Sequence, residues 1–218
     1  MSLAQPLQPH YTVANYYRIE ADTTERHEYR DGEILAMSDV SPNHSLIIAN
    51  LIREAGNRLK GKPCRVYDSN LRVRIPSVGR LTYPDVTIVC GRPEFDPQDP
   101  RQETVINPRL LIEVLSPSTE SRDRGEKFDF YRMLASMQEY VLVYALQPKI
   151  EAFFRQPDGG WLFNLFTGLE AAATLRSVDV SIPLADVYAD VEFPPAALPG
   201  GEDPGFKRAA YVSPSFRK

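Results

Sequence analysis

The chain has 218 residues, 43% of them hydrophobic and 25% charged, and 25 Lys and Arg face 29 Asp and Glu for a net charge of −4. This composition excludes a disordered chain, a collagen-like repeat and a disulfide mini-protein, and leaves enough apolar material for a real core. It also speaks against unselective affinity for nucleic acid, which calls for a strongly basic chain.

Residues 1–9 have neither a basic segment nor an apolar core, so they are expected to be an extension rather than a signal peptide. No run of about 18 apolar residues predicts a membrane span, and a cytoplasmic location is expected by default. Tyr11, Tyr16, Tyr17 and Ile19 are spaced for a short helix within 10–22. Asp31-Gly32 signals a hairpin turn, which places Glu33 at the start of its second strand. A helix over 44–60 would bury Ile48, Ile52, Ala55 and Leu59, with Ser41 or Asn43 as its cap and Gly61 at its end. Strands follow over 64–75 and 81–90, separated by a turn from Pro76 to Gly79. Cys64 and Cys90 lie in these strands and are expected to be buried reduced thiols. His10, His27 and His44 are scattered, so no zinc spacing exists.

The Pro- and Asp-rich stretch 91–107 reads as a surface loop, and Leu110–Leu115 as a short central strand. Phe128, Tyr131, Leu134 and Ala135 mark a helix over roughly 122–136. A strand at 140–146, a hairpin turning at Asp158-Gly159-Gly160 and a further strand near 175–182 complete the core. The fold class is α/β (α+β with a mixed sheet) in one domain over 10–193, followed by a Pro- and Gly-rich tail at 194–218.

Two acidic residues stand out. Asp85 opens a predicted strand, and Glu113 interrupts an otherwise apolar run of six. A carboxylate removed from water needs a cation or hydrogen-bond donors. If the two strands are neighbours, the carboxylates converge, and Mg²⁺ would relieve their repulsion with help from a backbone carbonyl and waters. Such an ion polarises a phosphoryl oxygen and activates a bound water. Lys127 opens the next helix at the border of its buried face and is the candidate cation for developing negative charge. Residues 53–80 hold eight Lys and Arg against Glu54 and Asp68, a local +6 that leaves −10 for the remainder. Within that segment Arg72 and Arg74 alternate on one strand face and, with Arg80, are expected to contact phosphate. Arg122 and Arg124 form a second basic cluster with Lys127.

Pro84-Asp85 followed by Glu113-Val114-Leu115 resembles the signature of the PD-(D/E)XK nuclease superfamily. Glu28-Tyr29-Arg30-Asp31-Gly32-Glu33, Ser41-Pro42-Asn43-His44-Ser45, Tyr83-Pro84-Asp85-Val86 and the stretch from Leu111 to Thr119 narrow the resemblance. Together with Arg122-Asp123, Lys127, Tyr131 and Glu139–Val143, they are similar to the Uma-type restriction endonuclease family, a domain of unknown function, over about residues 10–190. The resemblance implies a restriction-endonuclease-like core of helix, three strands, helix and strand. It also implies a Mg²⁺ (or Mn²⁺) ion held by Asp85, Glu113 and the Val114 carbonyl. Leu115 stands where the superfamily has its strand lysine, so that role would pass to Lys127 on the helix. Glu33 would complete the acidic site, and His44 would orient a water or contact phosphate. Tyr131 is expected to pack against the sheet. The activity implied is cleavage of DNA; a homodimer is expected on general grounds, since cutting two strands needs two sites. The alternative is a catalytically silent nucleic-acid-binding or interaction module on the same fold.

Overall fold

The structure, a computed structural model, describes residues 10–37, 41–117 and 119–194, so the N-terminal extension and the tail beyond 194 lie outside the described residues. Helix α1 (Val13–Asp22) starts at Thr12, whose hydroxyl accepts from the Asn15 amide while the Asn15 side chain accepts from the Thr12 amide. The predicted hairpin follows as β1 (His27–Arg30) and β2 (Glu33–Ala36). Asp31 and Gly32 at its turn take φ of 46° and 96°, the conformation a two-residue turn of this kind requires.

Helix α2 (Pro42–Leu59) is capped by Ser41. Its buried stripe is Ile47, Leu51, Ala55 and Leu59, so two of the expected positions shift by one residue. Ile48 and Ile52 are only partly buried and flank the core. Each fully buried aliphatic side chain contributes about 1.5–3 kcal/mol, which seats α2 on the sheet below it.

That sheet has six strands: β3 (Cys64–Tyr67), β6 (Val86–Cys90), β8 (Leu110–Leu115), β9 (Glu139–Tyr144), β10 (Lys149–Arg155) and β11 (Trp161–Thr167). Their spatial order is β11-β10-β9-β8-β6-β3, and only β8 and β9 run parallel. A second sheet adds β4 (Arg72–Ile75), β5 (Arg80–Thr82) and β7 (Thr104–Val105) to the hairpin, in the order β2-β1-β5-β4-β7. The expected strand over 81–90 is therefore two strands in different sheets. Pro84 explains the break, because it has no N–H to give to a ladder. The link Tyr83-Pro84-Asp85 crosses from one sheet to the other and delivers Asp85 to the seam.

The stretch 91–107 is not wholly a surface loop. Asp96 and Asp99 are buried, and β7 pairs with β4. The expected helix over 122–136 is the composite α3 over 120–131, made of Glu120–Arg122, a π-helical turn Asp123–Lys127, and Phe128–Tyr131. The strand expected near 175–182 is a ribbon of β12 (Ala172–Leu175) and β13 (Val180–Pro183), turned by Arg176–Val178 and by Asp179 at φ 51°. Helix α4 (Leu184–Val187) follows. Asn50 ties this end of the chain to α2, donating to the carbonyls of Val187 (3.1 Å) and Ala189 (3.0 Å).

Cys64 and Cys90 form a disulfide, which corrects the expectation of reduced thiols. The register of β3 and β6 sets the two residues opposite each other, a fact of pairing that the linear sequence does not display. Among the described residues no helix is long and apolar enough to cross a membrane.

Candidate active site

The antiparallel register of β6 and β8 pairs Val86 with Ile112, and continuing it one step brings Asp85 opposite Glu113. The Val114 amide donates to Asp85 Oδ2 at 2.7 Å. Glu113 Oε1 accepts from the Tyr131 hydroxyl at 2.8 Å and lies 3.0 Å from Lys127 Nζ. Lys127 Nζ is also 3.0 Å from Asp123 Oδ1. The wider spacing of a π-helical turn lets Asp123 and Lys127 both reach the sheet from one short stretch of α3, and such turns recur at functional sites. His44, in the first turn of α2, places Nε2 3.2 Å from Asp85 Oδ2. Glu28 on β1 enters from the second sheet and is bound by Arg122. These residues, except the ladder pair Val86 and Ile112 and also Tyr131, which lies behind Glu113, line one cleft with Ala36, Met37, Tyr83 and Thr119.

The electrostatics are unusual. Glu28, Asp85, Glu113 and Asp123 are each no more than 9% exposed. The permanent cations lining the same cleft are Arg122 and Lys127, so the cleft carries a formal −2 when all four carboxylates are ionised and His44 is neutral. Burial pushes the Glu113 carboxyl up to about 8; Lys127 opposes this, while Asp123 and Asp85 add to it. Burial works against charge on Lys127, yet Glu113 and Asp123 outweigh it and hold the ammonium well above its ordinary range. Lys127 is therefore a fixed cation and not a proton acceptor at neutral pH. Burial likewise opposes a proton on His44, but the Asp85 carboxylate and the Val114 backbone raise its pKa above the usual imidazole value.

Among the described residues no three His, Cys, Asp or Glu side chains already converge as a ligand cage. A Mg²⁺ ion needs only one or two carboxylates, with carbonyl oxygen, water and substrate phosphate supplying the rest. Asp85 uses Oδ2, and Glu113 uses Oε1, for every hydrogen bond they make among the described residues, so each retains a second oxygen. Hard oxygen donors and an excess of carboxylates over fixed cations fit a divalent cation.

Asp85, Glu113, Val114, Lys127, His44 and Arg122 thus meet at one place. Glu33 does not. It is exposed at the hairpin end, paired with Arg30 in the ladder, and the acidic residue that β1 and β2 supply to the cleft is Glu28. The other arginines are also elsewhere. Arg72 is 4% exposed and contacts Asp99 (3.2 Å), Glu103 (2.9 Å) and Thr104 (2.9 Å), with its guanidinium over the Tyr17 ring. Arg74 pairs with Asp96 at 2.5 Å. The two do share a strand face, but the 91–107 stretch covers it. Arg80 pairs with Glu126 (3.1 Å) over the Phe130 ring. Arg124 pairs with Glu120 (3.0 Å) and with Glu151 (2.7 Å) over the Tyr144 ring. Each of these four is paired with a carboxylate, and none of them lines the cleft. Sequence reasoning missed Glu28 and Asp123. The i,i+4 spacing of Asp123 and Lys127 was a usable signal for the second; the first stands within the family-like stretch Glu28–Glu33, where the expectation falls on Glu33 instead. Tyr131 packs on the sheet as expected and also bonds Glu113.

Comparison with known proteins gives concordant results. The family model Uma2, described as "Putative restriction endonuclease", matches residues 13–185. Two uncharacterized proteins of Synechocystis sp., slr1290 and sll1609, are 34% identical over 186 residues and 32% identical over 160 residues. These alignments cover 85% and 73% of this chain and 95% and 89% of the relatives. A solved structure from Anabaena variabilis, described as a putative nuclease belonging to DUF820, superposes with a TM-score of 0.61 at 16% identity. It covers 79% of this chain and 96% of its own, and it shares the fold.

Proposed function

The chain belongs to the Uma2 family, and from that premise we propose that it is a metal-dependent endonuclease that hydrolyses phosphodiester bonds in DNA. The observation that carries this reading is the meeting of Asp85 and Glu113 from adjacent strands, with Lys127 bound to Glu113, in a cleft of net negative charge. Asp85, Glu113 and the Val114 carbonyl would hold Mg²⁺ or Mn²⁺. When bound, that ion polarises a phosphoryl oxygen and lowers the pKa of its water.

The protein's own residues do the remainder. Lys127, pinned between Glu113 and Asp123, presents a fixed positive charge to the oxygens that gain negative charge as the water attacks. Its two buried partners keep it from swinging, so no reorganisation is needed at the moment of reaction. Tyr131 holds the Glu113 carboxylate from the opposite side. His44 and the Val114 amide fix the Asp85 carboxylate. Arg122, with a side chain 40% exposed at the cleft, can exchange Glu28 for a substrate phosphate.

The test is nicking of supercoiled plasmid with Mg²⁺ or Mn²⁺, against chelator and against Asp85→Asn. Nicking that needs metal and is lost in Asp85→Asn is expected. Absence of metal-dependent nicking, or nicking indifferent to Asp85→Asn, overturns the reading and leaves the non-cleaving module.

A further inference from the structure

Strand β11 closes one edge of the six-stranded sheet, and among the described residues no strand covers its outer side. Its sequence, Trp161-Leu162-Phe163-Asn164-Leu165-Phe166-Thr167, contains no charge and no proline. Soluble proteins usually blunt such an edge with lysine, proline or a bulge, because its free N–H and C=O groups recruit another strand. Six large hydrophobic side chains stand exposed among the described residues. Four of them, Leu162, Phe163, Leu165 and Leu169, lie on β11 or two residues past it. The two apolar faces are each half-covered from within: Trp161 packs with Phe128, Phe163 with Phe153, and Phe166 against the α2-side core.

We propose that this edge is an interface between two copies of the chain, joined by antiparallel pairing of β11 with β11 into one continuous sheet. An open hydrogen-bonding edge is completed only by another strand, and this one is complementary to itself. A two-fold axis at Asn164 sets Phe163 opposite the partner's Leu165 and Leu162 opposite the partner's Phe166, so apolar side chains meet apolar ones. The nearest acidic residues, Asp158 and Glu170, fall in the turns beyond the paired stretch. Such an isologous contact closes on itself as a dimer and does not propagate.

The ladder also shows where this axis lies relative to the cleft. Asn164 pairs with Ala152, Ala152 with Val141, and Val141 with Ile112. The axis is thus level with Ile112, one residue from Glu113. A two-fold perpendicular to the sheet sets the two clefts seven strand spacings apart, about 34 Å measured across the sheet.

Light scattering and sedimentation of the full chain at micromolar concentration test the proposal. The expected mass is twice the 24.6 kDa of one chain. Phe163→Lys and Leu165→Lys, made separately, each enter the interface twice and are expected to raise the dissociation constant about 100-fold or more. Both positions are about half exposed in the single chain, so the circular dichroism of the monomer should not move, and only Phe163→Lys, which also gives up the Phe153 contact, should lower its melting temperature slightly. A monomeric wild type, or a dimer that survives both substitutions, overturns the proposal. Mass is read without any cleavage, so this inference and the nuclease reading fail separately.

Discussion

Replacing Arg72 with Met should unsettle the fold and leave DNA binding alone, the opposite of what a phosphate-contacting arginine would do. The guanidinium lies 3.2 Å from Asp99 Oδ2 and 2.9 Å from Glu103 Oε2, and both Arg72 and Asp99 are 4% exposed. Met retains most of the aliphatic volume, so the cost comes from stranding the Asp99 charge. Breaking one side of a buried pair costs about 3–5 kcal/mol. Asp99 keeps bonds from the Arg101 and Glu103 amides and from the Thr104 hydroxyl, which puts the expected loss at the low end, about 3 kcal/mol. For a chain of this length that is a fall in melting temperature of roughly 6–12 °C. Urea and thermal melts of Arg72→Met, Asp99→Asn and the double variant measure it. Added to Arg72→Met, the Asp99→Asn change should recover part of the loss, a coupling of about 1–3 kcal/mol. A normal melt for Arg72→Met together with weakened DNA binding would refute the argument and return Arg72 to the nucleic-acid surface.

Lys127→Met should slow metal-dependent nicking by about 10²–10³-fold, the usual loss for one preorganised electrostatic group, while Arg80→Met leaves it nearly unchanged; initial rates on plasmid decide this. Burial raises the Glu113 pKa to about 8, so its contribution to stability is complete below the unfolded value near 4.5 and is lost as pH rises through about 8. In chelator, urea midpoints of the wild type should therefore fall between pH 5 and pH 8 relative to Glu113→Gln, and a pH-independent difference would mean that Glu113 is ionised throughout. Replacing both Cys64 and Cys90 with Ser opens a crosslink spanning 26 residues and should cost about 3.5 kcal/mol on chain-entropy grounds, read from urea midpoints beside a free-thiol titration that finds none in the intact chain.

What the sequence discloses follows the range of the physics. Local patterns carried the turn at Asp31-Gly32, the span of α2 and the apolar run of β8, because each is set by neighbours a few residues away. Glu113 was conspicuous for the same reason: a carboxylate inside Leu110–Leu115 has no local partner and must find a distant one. Pairing across the chain was not visible. Arg72 and Arg74 read as a basic strand face because Asp96 and Asp99 lie more than twenty residues on, in a segment whose composition suggests a loop. Cys64 and Cys90 become a disulfide only once β3 and β6 are aligned. Glu33 and Glu28 are equally acidic and stand on the same hairpin; only the packing of β1 against α3, where Arg122 waits, selects Glu28.

The charge balance of the molecule then yields one more expectation. The +6 of residues 53–80 does not reach the cleft, since Arg72, Arg74 and Arg80 are each held by a carboxylate. Other basic side chains are held mainly by backbone carbonyls: Lys62 by Val178 and Asp179, with the exposed Asp179 carboxylate 3.7 Å away, Arg65 by Gly91, Arg109 by Ser177. These keep their positive charge, but they sit where β8 begins and β6 ends, opposite the end that carries Asp85 and Glu113. A phosphate approaching the metal-free cleft therefore meets more carboxylates than cations, with Arg26, which donates to Ser69 and lies over the Tyr83 ring, in the adjoining pocket that shares His44 and Asp85. Screening at physiological salt acts over about 8 Å, so the charges at the far end of the sheet give little help at the cleft. A divalent cation brings the cleft to neutrality and adds a ligand position for phosphate. DNA affinity should consequently rise at least about tenfold when Ca²⁺ replaces chelator, Ca²⁺ serving as a divalent ion with the same preference for oxygen ligands. Asp85→Asn should bind equally with and without the ion. Fluorescence anisotropy with a labelled duplex at fixed ionic strength measures both, and affinity that is indifferent to the ion in the wild type would mean that DNA is held by a surface other than this cleft.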